Sequence, residues 1–198
     1  MLTAIGDVMR EAHKRGWITT RDGNCSLRRS SQEMFYITPS GVRKTTIIPE
    51  TVVRMPVFQG KLVTRGSNVA TTPSGELEMH WLLQKCHSTT RAVLHLHPTY
   101  TIAAMRKGYQ LNELAAEFPE VYRYTRVGQN VPVLPATSKE LAKETFSKFE
   151  VTEFGDCSYD IVGQAQHGVC AIGRNPWDAF EHIERLEHIC KITLASGV

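Results

Sequence analysis

Cysteine is sparse and scattered: five residues, at positions 25, 86, 157, 170 and 190, odd in number and with no CxxC spacing. That pattern excludes a disulfide framework and a thiolate zinc site, so the five read as reduced, buried small residues. No apolar run approaches a membrane span, and charges run through residues 1–17 where a signal peptide has its apolar centre. The expectation is a cytoplasmic protein with no membrane partner. A basic block is missing too. The 23 Lys and Arg alternate with 20 Asp and Glu for a net charge of +3, too weak a footprint for nucleic acid but compatible with a small anionic substrate. Low-complexity segments and internal repeats are also absent.

What remains is the composition of a soluble globular chain of 198 residues, long enough to bury a core without staples and expected to form one domain over 1–198. Leu2, Ile5, Met9 and Ala12 recur at helical spacing up to Gly16. Residues 21–41, and again 54–66 around Gln59-Gly60, alternate β-prone pieces with turn residues and read as two hairpin-like units. Met79, Leu82, Leu83 and Cys86 form a helical stripe, with Ser74 as its cap and Glu76 in its first turn. A short helix closed by Gly108 follows. Further helices are predicted at 112–118 and 138–149, and strands at 130–134, 159–164 and 168–173. The last helix is capped by Asn175 with Pro176 first inside it. Strands often follow one another with no helix between them, which argues against a wholly parallel sheet.

One strand poses a chemical question. In "RAVLHLHPTY" the period of two puts Val93, His95 and His97 on one face and Ala92, Leu94 and Leu96 on the other. Two imidazoles at i and i+2 can meet one ion, although an isolated HxH is more often a pair of polar residues near a strand end. His167 in "GQAQHGVCAIG" offers a third nitrogen and Glu76 a carboxylate, and a His/His/His/Glu set suits zinc or a similar divalent ion. His13, His182 and His188 fall on polar helix faces and read as surface residues. His80 and His87 lie in or just after the Glu76 helix and can reach toward the site, but their spacing does not require it.

With these residues laid out, the chain resembles the class II aldolase/adducin family, above all its zinc-dependent fuculose-phosphate and related sugar-phosphate aldolases. The likeness runs over nearly the whole chain through "GNCSLR", "ITPSG", "PSGELEMH", "HLHP", "QHG" and the closing "NPWDAFEHIERLEHICKITLAS". It implies a three-layer α/β/α fold around a mainly antiparallel, mixed sheet, assembled as a homotetramer with active sites at subunit interfaces. It implies His95, His97 and His167 as metal ligands, and Glu76 as both fourth ligand and acid/base. The cofactor would be Zn2+ or another divalent ion such as Mn2+ or Co2+. Asn24, Ser40, Gly41, Ser74 and Gly75 map onto the positions that hold the substrate phosphate. Physics supports that last mapping, since glycines admit close backbone approach and a helix N-terminus favours an anion.

The activity implied is cleavage of a keto sugar phosphate to a dihydroxyacetone-phosphate-type ketone and an aldehyde, through a metal-stabilised enediolate. An epimerase, dehydratase or decarboxylase of a sugar or sugar-acid phosphate is the alternative within the family. Glu76 favours the aldolase over the epimerases, which tend to have Asp there. From another class, a non-enzymatic adducin-like interaction module shares the fold without the metal site, and a closed structural zinc is a further option. The chain departs from the pattern in two places. Gly75 stands where many phosphate-using members have a second serine, and no tyrosine follows Tyr159, although aldolases of the family use one near the C-terminus. Tyr122 and Tyr124 lie near the region of an interface tyrosine, with aromatic packing the expected role for both.

Overall fold

The computed structural model describes residues 2–29, 33–57, 72–86 and 91–197. Six strands form one sheet: β1 (Asn24–Arg28), β2 (Met34–Ile37), β3 (Val53–Pro56), β4 (Ala92–Leu96), β5 (Ile161–Gln164) and β6 (Gly168–Gly173). Their order is β3-β2-β1-β4-β6-β5, and every neighbouring pair is antiparallel. Parallel pairing is confined, among the described residues, to the single bridges Val127–Ile161 and Val131–Gln164. The first hairpin-like unit is the β1–β2 pair. Of the second, β3 is observed, and its turn at Gln59-Gly60 lies outside the described residues, as does His87.

The period of two sorts each strand's residues between two helical layers. Cys25 and Leu27 of β1, Ala92, Leu94 and Leu96 of β4, and Val169 and Ala171 of β6 pack into one core. That core is shared with α1 (Thr3–Lys14), α3 (Thr99–Arg106), α4 (Leu111–Ala116) and α7 (Pro176–Ser196). Val93, Val162, Cys170 and Ile172 face the other way, against α2 (Leu77–Gln84) and α6 (Lys139–Lys148). The result is the expected three-layer α/β/α arrangement. A fully buried leucine such as Leu94, at 0% exposure, contributes about 1.5–3 kcal/mol. All five cysteines are buried and none is in a disulfide, as expected.

The helices follow their end signals. Asn175 Oδ1 accepts from the backbone N–H groups of Trp177 and Asp178 to start α7, and Ser138 Oγ accepts from Leu141 N to start α6. Three sequence expectations are corrected. The strand at 130–134 is only the Val131 bridge, because Pro132 has no N–H to continue the pairing. The helix read at 112–118 is α4, and it is followed by α5 (Pro119–Tyr124), which was not anticipated. Glu76 is not inside the first turn of α2 but directly precedes it, with Ser74 Oγ accepting from Glu76 N at 3.3 Å.

Candidate metal centre

The polar residues of β1 and β4 share the sheet face that α2 covers. The register pairs Asn24 with His95 and Ser26 with Val93, and α2 brings Glu76 and His80 over them. His97 follows β4, its N–H donating to Trp17 O at 2.9 Å. His167 arrives from the tight β5–β6 turn. Gly168 makes that approach possible: a Cβ there would lie 2.4 Å from Leu96 O and 2.8 Å from His97 Cδ2. Only a residue with no side chain lets β6 start so close beneath the histidine pair.

The four predicted ligands meet. One nitrogen from each of His95, His97 and His167 lies within 4.8 Å of the others, and the Nε2 atoms of His95 and His97 are 2.9 Å apart. Glu76 Oε2 is 3.3 Å from His95 Nε2, and its Oε1 is 3.7 Å from His167 Nε2. His95 Nδ1–H donates to Val169 O at 3.0 Å, which fixes the tautomer and leaves the Nε2 lone pair facing its neighbours. Burial, and then the neighbouring histidines, hold His95 well below its usual pKa; burial and His167 lower His97. Both shifts favour the neutral rings, the form that can ligate a cation. His167 Nδ1 is buried and has no hydrogen-bond partner among the described residues. Three imidazoles and a carboxylate fit a divalent ion of the zinc, manganese or cobalt kind.

All nine predicted site residues line one open cleft of about 170 Å³. Ser40, Gly41 and Gly75 are exposed at its mouth, whereas Asn24, Ser74 and Glu76 are buried. Asn24 Nδ2 donates to Glu76 Oε2 at 3.0 Å. Two larger clefts, of about 460 and 790 Å³, lie around Arg126 and His182 and around Trp17 and His188. Among the described residues, neither contains a convergent metal-ligating group.

Six further residues line the 170 Å³ cleft that sequence reasoning did not name, and two of them, Lys44 and Thr137, bear on the site. Lys44 is only 3% exposed and donates from Nζ to Pro39 O at 3.0 Å. Burial pulls its pKa below the usual lysine range, with Asp22 opposing. The available cue was a lysine three residues after "PSG". Thr137, the second, has a left-handed backbone (φ 61°) and places Cγ2 3.1 Å from where a Cβ on Gly75 would stand. No local signal marks a β-branched residue for that conformation.

Two other expectations are revised, and one open question is answered. His182 is buried, with Nδ1 2.9 Å from Thr125 Oγ1, because the chain leaving α5 covers that part of α7. Tyr122 and Tyr124 do not pack into the core: they are 77% and 50% exposed on α5. His80, left open by its spacing, is fully buried and sits in the hydrogen-bond chain behind Glu76. His13 and His188 are exposed, as expected.

Comparison with known proteins agrees with this geometry. Residues 3–194 match the family model described as "Class II Aldolase and Adducin N-terminal domain". An L-fuculose phosphate aldolase of Methanococcus maripaludis is 23% identical over 191 residues, covering 96% of this chain and 94% of its own. A methylthioribulose-1-phosphate dehydratase of Bradyrhizobium sp. is 28% identical over 202 residues, covering 94% and 88%. A solved L-fuculose 1-phosphate aldolase superposes with a TM-score of 0.79 at 22% identity, covering 99% of this chain and 85% of that one.

Proposed function

Since the chain belongs to the class II aldolase and adducin family, we propose that it is a metal-dependent aldolase. It would cleave a keto sugar phosphate to a dihydroxyacetone-phosphate-type ketone and an aldehyde. The observation that carries this reading is the convergence of His95, His97 and His167 beside a buried carboxylate. A closed structural site would not leave such a group at the floor of an open cleft. The same intact donor set weighs against an adducin-like module without chemistry.

On this reading each residue has a role. His95, His97 and His167 would hold the ion, with Glu76 as the fourth donor. Zn2+ is favoured by the N/O set, with Mn2+ or Co2+ as substitutes. A divalent ion there supplies Lewis acidity that stabilises the negative charge of an enediolate. Ser40, Gly41, Ser74 and Gly75 present donors and close backbone to the substrate phosphate, and Lys44 adds a buried positive charge beside them. In the cleavage direction a base takes the proton of the substrate hydroxyl on the carbon that becomes the aldehyde, as the C–C bond breaks. The bonding pair passes to the ketone fragment, and Glu76, once it has taken up a proton from solvent, delivers it to the enediolate carbon. Tyr122 and Tyr124, exposed on α5, suit a subunit contact in a cytoplasmic homotetramer.

The test is metal analysis of the purified protein combined with a cleavage screen against phosphorylated and free keto sugars. Glu76→Gln should retain metal and substrate binding yet lose most solvent-proton exchange at the enolisable carbon of the ketone product. Undiminished exchange in that variant refutes the role of Glu76. A dehydratase is the second reading, favoured by the 28% identical relative of that name. An epimerase or decarboxylase would use the same enolate chemistry. Product analysis by NMR separates all of these.

A further inference from the structure

Behind Glu76 a chain of side chains runs into the sheet–helix interface. Gln84 Nε2 lies 2.9 Å from Ser26 Oγ, Ser26 Oγ 2.8 Å from His80 Nδ1, His80 Nε2 within hydrogen-bond distance of Asn24 Oδ1, and Asn24 Nδ2 3.0 Å from Glu76 Oε2. All five residues are buried. The direction of every link follows from what each group can do. A carboxylate only accepts, so the NH2 end of Asn24 faces Glu76 and its carbonyl faces His80. His80 must then donate from Nε2, which leaves Nδ1 to accept from the Ser26 hydroxyl, and Ser26 accepts from Gln84. The other orientation of the Asn24 amide would set its carbonyl against the carboxylate.

We propose that Asn24 and His80 are positioning residues: they clamp the Glu76 carboxylate in one orientation toward the three imidazoles. This rests on the reading of Glu76 as fourth donor and proton carrier. One N–H of the Asn24 amide is engaged by Glu76, and the second stays available to the anion pocket. Removing the clamp leaves the three-histidine set intact and frees the carboxylate to rotate, which damages coordination and proton transfer rather than substrate binding. Hydrogen-bonding partners behind metal ligands typically change affinity or activity by about 10–100-fold when removed.

The test uses the full-length protein, both metal-free and loaded with Co2+. Long-range 1H–15N NMR of the metal-free protein should show His80 as the Nε2–H tautomer. His80→Phe keeps the ring and removes both nitrogens. It should lower Co2+ affinity about tenfold, alter the visible d–d spectrum and lower kcat about 10–100-fold, with KM unchanged within about twofold. His80→Gln places an amide donor near the Nε2 position and should recover most of the loss. Asn24→Ala should reproduce the spectral change and the kcat effect. Unchanged Co2+ affinity and spectrum in His80→Phe, or an Asn24→Ala variant that raises KM alone, overturns the proposal. If His80→Phe does not fold, Asn24→Ala decides through the same readouts, and a Co2+ affinity and spectrum unchanged from the wild type in that variant are equally fatal. If the wild type cleaves no keto sugar phosphate, the proposed reaction fails, while the cobalt spectra and the tautomer still decide this inference.

Discussion

Gly168→Ala is the smallest change that should separate His167 from its partners. The added Cβ would stand 2.4 Å from Leu96 O, 2.8 Å from His97 Cδ2 and 3.0 Å from His95 Cε1. The first of these is backbone held by the β4–β6 ladder, in which Leu96 pairs with Val169, so it cannot rotate away. Restoring even 3.0 Å to that oxygen requires a shift of about 0.6 Å, and ordinary van der Waals contact requires roughly 1 Å. Overpacking of this kind costs about 1–3 kcal/mol, which for a chain of this length lowers Tm by roughly 2–12 °C. The strain falls on the residue next to His167, so the ring moves off the ion's position by a similar distance. A misplacement of about 1 Å can reduce a rate about a hundredfold. The assay is calorimetric melting of the metal-free variant together with competition titration of Zn2+ against a chromophoric chelator. Gly168→Ala with unchanged Tm and unchanged zinc affinity would refute the argument that this glycine admits His167 to the site.

Three further outcomes are expected. Burial lowers the pKa of His95 and His97 and takes His80 down to about 3, so these rings stay neutral in the folded protein while they protonate in the unfolded chain below about pH 6.5. Their contribution is therefore complete above that pH and is lost as pH falls toward the folded values. Urea midpoints of the metal-free protein should drop between pH 7 and pH 5, by up to about 1.4 kcal/mol per pH unit per neutral histidine; a flat profile would contradict it. Lys44→Met should raise KM for a phosphorylated substrate by about 10–100-fold, the worth of a charge-assisted hydrogen bond, without loss of metal. Equal effects on phosphorylated and unphosphorylated ketoses would remove Lys44 from the anion site. Gly75→Ser should be destabilising because its Cβ meets Thr137 Cγ2 at 3.1 Å, and Thr137→Gly should relieve it, with a coupling of about 0.5–3 kcal/mol in a double-mutant cycle. Additive stabilities would show that the two positions do not interact.

The legible parts of this chain are those where one local rule and the tertiary structure agree. The α1 stripe, the Asn175 cap and the alternation in β4 are of that kind, and so is the pairing of His95 with His97, because a period of two sets it directly. His167 was legible only as a histidine before a glycine. Its convergence with the pair depends on β4 lying beside β6, a neighbour relation no local pattern encodes. Lys44 escaped because burial of a lysine is a property of the packed chain. Likewise Tyr122 reads as core material by its chemistry and stands exposed on α5.

The helix bearing Glu76 shows why the rest was hidden. Its apolar stripe of Met79, Leu82, Leu83 and Cys86 describes a helix that buries one face against an apolar sheet. The buried residues of α2 are Leu77, Met79, His80, Leu83 and Gln84, so the inner face includes two polar side chains. They are inside because the sheet beneath them is polar as well, with Asn24, Ser26 and His95 all at most 6% exposed. Leaving such groups buried without partners would cost about 1–3 kcal/mol each, and the Gln84–Ser26–His80–Asn24–Glu76 chain removes most of that penalty while orienting the carboxylate. An apolar repacking of matched volume, with alanine replacing Ser26 and leucines replacing His80 and Gln84, is therefore expected to fold at least as stably while leaving Glu76 unsupported. The polarity of this sheet face is explained by the site it holds, since stability alone would favour the hydrocarbon.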